Sequence, residues 1–164
     1  MPISQIVTNS IANGAVVAAD LAAGAARANF GAGAVLQVVE GTFAGQTAST
    51  SGTFVDTGLS ASITPSSASN RILVFFTSPV LNGGTGTELG ARIVRNSTTL
   101  TASYKSGNAS IFASCTGIIY DNPATTSSTT YKIQFARIAG GDPVYFGTLE
   151  APAVSRIVLM EIAG

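Results

Sequence analysis

The residues able to do chemistry in this sequence are few and scattered. Eight carboxylates, Asp20, Glu40, Asp56, Glu88, Asp121, Asp142, Glu150 and Glu161, are spread along 164 residues. Two carboxylates facing each other across a cleft would serve a glycoside hydrolase, one protonating the leaving oxygen and the other attacking or activating water. No two of these eight sit in a recognisable pair, and most fall at turns or strand ends, where a solvated charge is the simpler account. Histidine is absent, which removes the commonest general base and the commonest metal ligand. The single cysteine, Cys115, has no histidine to take its proton. It cannot form an intramolecular disulfide or build a thiolate zinc site. In Ile111-Phe-Ala-Ser-Cys-Thr-Gly-Ile-Ile119 it shares a strand face with Ile111 and Ile119, the place of a small buried hydrophobe. The expectation is a protein that is not an enzyme and that uses no cofactor and no metal.

Binding signals are equally sparse. Gly83-Gly-Thr-Gly86 lacks the Gly-Lys-Ser/Thr ending of a phosphate loop, and no helix follows to present its amides. It reads as a hairpin or as a loop crossing between sheets. Arg92 and Arg95, three apart on a strand, fall on opposite faces and make no joint basic patch. Tyr104-Lys-Ser-Gly-Asn108 reads as an exposed turn, so Tyr104, Lys105 and Asn108 are the candidate surface contacts, with a polar surface glycan as the partner to test. Tryptophan, the usual sugar-stacking residue, is absent.

The elements that must hold these residues are legible from texture. Only 10% of residues are charged, and the eight basic and eight acidic side chains cancel. Soluble domains carry about 25%, and net charge near zero promotes association. A surface partly hidden in an assembly follows. Nucleic acid is excluded as a partner, because gripping phosphates takes clustered Lys and Arg. Neither a secretory signal nor a membrane span is expected. The first six residues carry no basic side chain, and the apolar stretch 11–39 is interrupted by Asn13, Asp20, Arg27, Asn29 and several glycines.

That stretch contains a ten-residue repeat, Ile11-Ala-Asn-Gly-Ala-Val-Val-Ala-Ala-Asp20 against Leu21-Ala-Ala-Gly-Ala-Ala-Arg-Ala-Asn-Phe30. Residues 1–33 therefore read as an extended Ala/Gly-rich arm. It is either a low-complexity tether or a segment that orders only against other chains. Ile6, Ile11, Val16, Leu21 and Phe30 are its docking anchors. From residue 34 to 164 the texture changes to short Val/Ile/Phe/Thr runs punctuated by Gly, Asn, Ser, Pro and Asp. Strands are expected over 35–42, 52–57, 61–63, 71–79, 88–95, 110–120, 130–138, 144–148 and 155–162. Tyr131, Ile133 and Phe135 alternate with Lys132 and Gln134, so that sheet has one wet face. Ile72-Leu-Val-Phe-Phe76 does not alternate and should be covered on both faces, as a central strand or at a subunit contact. Ile157-Val-Leu-Met160 is too apolar for an exposed edge. The fold class is all-β, a jelly-roll-like β-sandwich behind an arm.

The same residues carry a resemblance. The run Gly58-Leu-Ser-Ala-Ser-Ile-Thr-Pro-Ser-Ser-Ala-Ser-Asn-Arg-Ile-Leu-Val74 resembles a segment recurring in fibre and other virion structural proteins of bacteriophages, notably marine and cyanobacterial ones. Asp121-Asn-Pro-Ala-Thr-Thr-Ser-Ser-Thr-Thr-Tyr-Lys-Ile-Gln-Phe135 and Leu159-Met-Glu-Ile162 resemble two further pieces of those proteins. Ala12-Asn-Gly-Ala-Val16 is similar to the short repeats that precede such domains. The resemblance implies a homotrimer of C1q/TNF-like jelly rolls on a virion, assembled in the host bacterial cytoplasm. In that picture the arm docks to other virion proteins and the knob projects. A capsid decoration protein and a carbohydrate-binding module are the alternatives. The chain departs from long fibres in having almost no shaft.

Overall fold

A computed structural model describes residues 31–108, 111–148 and 153–164, with residues 102–108 and 111–112 described through their backbone alone. Among the described residues ten strands run in order: β1 (Val35–Phe43), β2 (Gln46–Ser49), β3 (Val55–Ile63), β4 (Arg71–Asn82), β5 (Thr85–Arg95), β6 (Thr98–Asn108), β7 (Ile111–Asp121), β8 (Thr129–Ala139), β9 (Val144–Gly147) and β10 (Ser155–Ile162). Four antiparallel pairs, β1 with β10, β3 with β8, β4 with β7 and β5 with β6, are nested one inside the next. Rolled up, they make two sheets. One is six-stranded, with β10 between β1 and β4, β7 on the far edge of β4, and the short pair β9–β2 beside the end of β4. The other is four-stranded in the order β3-β8-β5-β6. The chain is thus an all-β jelly-roll sandwich.

Alternation decides which side chains enter the core. Leu59, Ile63, Ile72, Val74, Phe76, Leu89, Ile93, Tyr131, Ile133, Phe135, Ile157 and Leu159 point inward and are at most 2% exposed. Phe146 bridges the layers, 6.5 Å from Phe76 and 5.9 Å from Phe135 between ring centroids. Gly117 sits opposite Phe76, where a Cβ would stand 2.3 Å from the ring. Cys115 is buried in the same cluster. The wet face expected for 131–135 is present, and 157–160 lies between β1 and β4 rather than at an edge.

Several expectations are corrected. Residues 55–57 of the expected segment 52–57 join 61–63 in one strand, β3, whose register shifts at Gly58, and 52–54 lie outside it. Gly58 has φ +92° and lies against the Phe43 ring, so this glycine makes a bulge rather than a turn. The strands β2 and β6 are not announced by any apolar run in the sequence. Asn96, at φ 51°, turns β5 directly into β6. The backbone therefore places Tyr104, Lys105 and Asn108 inside a paired edge strand, opposite Gly90, Leu89 and Thr85, and not in an exposed turn. Their polar sequence misled because edge strands tolerate polar and charged residues. The arm anchors Ile6, Ile11, Val16, Leu21 and Phe30 lie outside the described residues.

Candidate interaction surface

The strand 72–76 is central, as expected, but the described residues cover only one of its faces. Ile72, Val74 and Phe76 are fully buried, whereas Leu73 is half-buried and Phe75 is 37% exposed on the outer side. Register carries this outer row across the sheet. Phe75 stands between Val158 and Ile118, and Leu73 stands between Met160 and Tyr120, with Val38 beyond Met160. Ile118 is 63% exposed, Val38 57% and Tyr120 51%. Of the six exposed large hydrophobics among the described residues, Val38, Phe75, Ile118 and Tyr120 meet on this face, and Val35 lies at its corner opposite Ile162. Charges stay at the rim. Arg156 pairs with Glu40, and the Arg71 guanidinium lies 5.1 Å from the centre of the Tyr120 ring. A contiguous apolar patch with a polar rim is the form of a contact surface. The non-alternating run Ile72–Phe76 was the sequence signal for it, and Val38, Ile118 and Tyr120 joined it only through register.

Most charged groups are instead absorbed by the scaffold. Gln37, Glu161, Ile72 and Asp121 form one row across the six-stranded sheet. Glu161 is buried with no cation paired to it among the described residues. It accepts from Gln37 Nε2 at 2.5 Å, Ser66 N at 2.6 Å, Ser66 Oγ at 2.8 Å and Asn70 Nδ2 at 2.6 Å. Burial pushes its pKa up, but the combined donors of Asn70, Gln37 and Ser66 outweigh that and hold it below the ordinary carboxylate value. Asp121 accepts from Arg95 Nη1 at 2.8 Å and Tyr131 Oη at 2.7 Å, tying the two sheets together at the same end. Burial and the Asp121 carboxylate raise the Tyr131 hydroxyl far above its usual range. Asp56 accepts from Lys132 and Gln134 on the wet face of β8, and these donors lower its pKa.

Arg92 and Arg95 do face opposite ways. Arg92 stacks on Phe54 and donates to Gln134, while Arg95 reaches inward to Asp121. Gly83 and Gly84 carry the chain from one sheet to the other. A Cβ on Gly84 would meet Asp142 Oδ2 at 2.0 Å, so a carboxylate already occupies the approach to this loop. A hollow of about 80 Å³ lined by Asp56, Gly58, Leu59, Ser60, Lys132 and Ile133 is far below the roughly 300 Å³ of a ligand pocket. Among the described residues no group of three or more Cys, Asp or Glu is placed to hold a metal, and no helix is long and apolar enough to cross a membrane.

No protein-family model and no curated protein matches the chain. Among solved structures it is similar to one described as "Structure of infectious bursal disease virus Gx strain", at 15% identity and a TM-score of 0.46. The match covers 79% of this chain and 33% of that one, so the chain spans about a third of that protein's length.

Proposed function

We propose that this chain is a structural protein of a virus particle, and specifically of a bacteriophage. In this reading residues 1–33 dock to other virion proteins or intertwine with sister subunits. Residues 34–164 form the knob of a short trimeric fibre or spike that contacts the host surface. The observation that carries a structural role is the pairing of a jelly roll poor in charge with one sheet face collecting Val38, Phe75, Ile118 and Tyr120. Such a face is costly to leave in water, at roughly 25 cal/mol per Å² of apolar surface, and suits a subunit that packs. The resemblance of segments 58–74, 121–135 and 159–162 to phage virion proteins names the kind of particle.

Two measurements test the reading. Mass spectrometry of purified particles should find the chain at a fixed copy number, and antibody-labelled particles imaged at low resolution should place it at the tail. Its absence from particles would overturn the proposal. Head labelling, with particles lacking the protein losing heat resistance, would replace the fibre by a decoration protein.

A further inference from the structure

We propose that the outer face of the four-stranded sheet is a binding site for a saccharide that carries a carboxylate, with Arg92 as the group that grips it. The proposal deepens the host-contact reading above and rests on it only for where such a saccharide is met.

The two sheets differ on their outer sides. The six-stranded sheet turns Val38, Phe75, Ile118 and Tyr120 outward. The four-stranded sheet presents Arg92, Gln134 and Asp56 in one row across β5, β8 and β3, with Lys132 opposite Ser60 and Thr130 opposite Ser62 in the rows beside it. All of these side chains are exposed or half-buried.

The row is one hydrogen-bonded chain that ends on Arg92. Lys132 Nζ donates to Asp56 Oδ2 at 2.9 Å, and Gln134 Nε2 donates to Asp56 Oδ1 at 2.7 Å. Gln134 Oε1 in turn accepts from Arg92 Nε at 2.8 Å and Nη2 at 2.6 Å. The guanidinium also lies 4.3 Å from the centre of the Phe54 ring, which is seated over Gly90 beside Ile138. Arg92 is thus fixed by a ring on one side and an amide along one edge. A guanidinium has five N–H donors. Gln134 takes one on Nε and one on Nη2, and Nη1 has no acceptor among the described residues. Among those residues no carboxylate pairs with Arg92 either, since the ion pairs are Arg95–Asp121, Lys132–Asp56 and Arg156–Glu40. The Nη1–Nη2 edge therefore keeps the parallel pair of donors that holds a carboxylate bidentately. A side chain already set in place loses little freedom when it binds.

The rest of the face favours a saccharide over an acidic peptide. Sugar hydroxyls both donate and accept, and the hydroxyls of Ser60, Ser62 and Thr130 do the same. With Gln134 and Asp56 they cover three strands, about 10 Å across. At the Gly58 bulge the face dips into the hollow of about 80 Å³, which takes one ring substituent rather than a whole ligand. Lys132 and Asp56 cancel, so Arg92 leaves the row one positive charge for one carboxylate. An acidic peptide would use Arg92 and leave the hydroxyl rows idle.

The test is isothermal titration of the full chain with trigalacturonate, a uronic acid trimer. Binding should be measurable at millimolar concentration, and the methyl-esterified trimer should bind about tenfold or more weakly. Arg92→Lys keeps the charge without the fork, and Arg92→Gln removes both. Each should weaken binding about tenfold or more, with an unchanged Tm showing that the fold is intact. Arg156→Gln, an exposed arginine of the other sheet, should match the native chain. Should the Arg92 variants unfold, the comparison of acid with ester on the native chain still decides. No binding of the acid, equal binding of the ester, or an equal loss in Arg156→Gln would overturn the proposal. A triglutamate peptide that binds as tightly would also overturn it and give the face to an acidic peptide. These titrations need no virus particle, and the content of particles does not depend on them, so this inference and the proposed function fail separately.

Discussion

Glu161 shows how a buried charge can be structural. Its carboxylate is satisfied by Gln37 of β1 and by Ser66 and Asn70 of the segment between β3 and β4, so it fastens both to β10 at one end of the sandwich. Its pKa is lowered in the folded protein, so it contributes stability that is fully present above its ordinary value of 4.5 and is lost as pH falls through the folded value. Urea unfolding should therefore be flat in pH above about 5 and weaken below it. Glu161→Gln turns an acceptor toward Asn70 and Ser66 into a partial donor. It should cost about 2–3 kcal/mol at pH 7 and flatten the acid limb, as read by denaturation at pH 7 and at pH 3.5. An undiminished acid limb in the variant would place the acid sensitivity elsewhere. Asp56 has the same sign, but it sits exposed beside Lys132 and should add little.

At the scale of the strand, glycines separate into those that make room and those that do not. Gly117 of β7 leaves space for the Phe76 ring in the centre of the core. Gly117→Ala should overpack that contact and lower stability by about 1–3 kcal/mol, measured as a drop in Tm or urea midpoint. Gly141 has nothing within 4 Å of a built Cβ and no positive φ, so Gly141→Ala should stay within about 0.5 kcal/mol. Equal effects at the two sites would mean that Phe76 yields freely. Neither glycine could be ranked from sequence, because each follows aliphatic or small residues and only register puts a phenyl ring opposite one of them.

For the whole molecule, the expected assembly is a homotrimer. The number three comes from the resemblance, and the low charge supplies only the tendency to associate. Light scattering at micromolar concentration should return three times the 16.5 kDa of the chain; a stable monomer would remove the trimer. The carboxylates Asp56, Asp121 and Glu161 are tied up in the scaffold. Incubation with host envelope polysaccharide should accordingly release no new reducing ends. Sustained turnover abolished by replacing Asp142, which lies on the connection after β8, would overturn a contact role.

The sequence by itself determined the class of fold. Period-two patterns such as Tyr131–Phe135 fix which face is wet, because successive side chains on a strand point opposite ways. A chain without histidine cannot use one. Sequence also marked Ile72–Phe76 as unusual. What tertiary structure alone decided was long-range pairing. It set Ile118 beside Phe75 and Tyr120 beside Leu73, partners more than 40 residues apart, and so converted isolated exposed hydrophobics into one face. It also read Gly58 as a bulge and residues 104–108 as strand. Glycine and polar residues have the same local signature in a turn, a bulge and an edge strand, and only the neighbouring strand tells them apart.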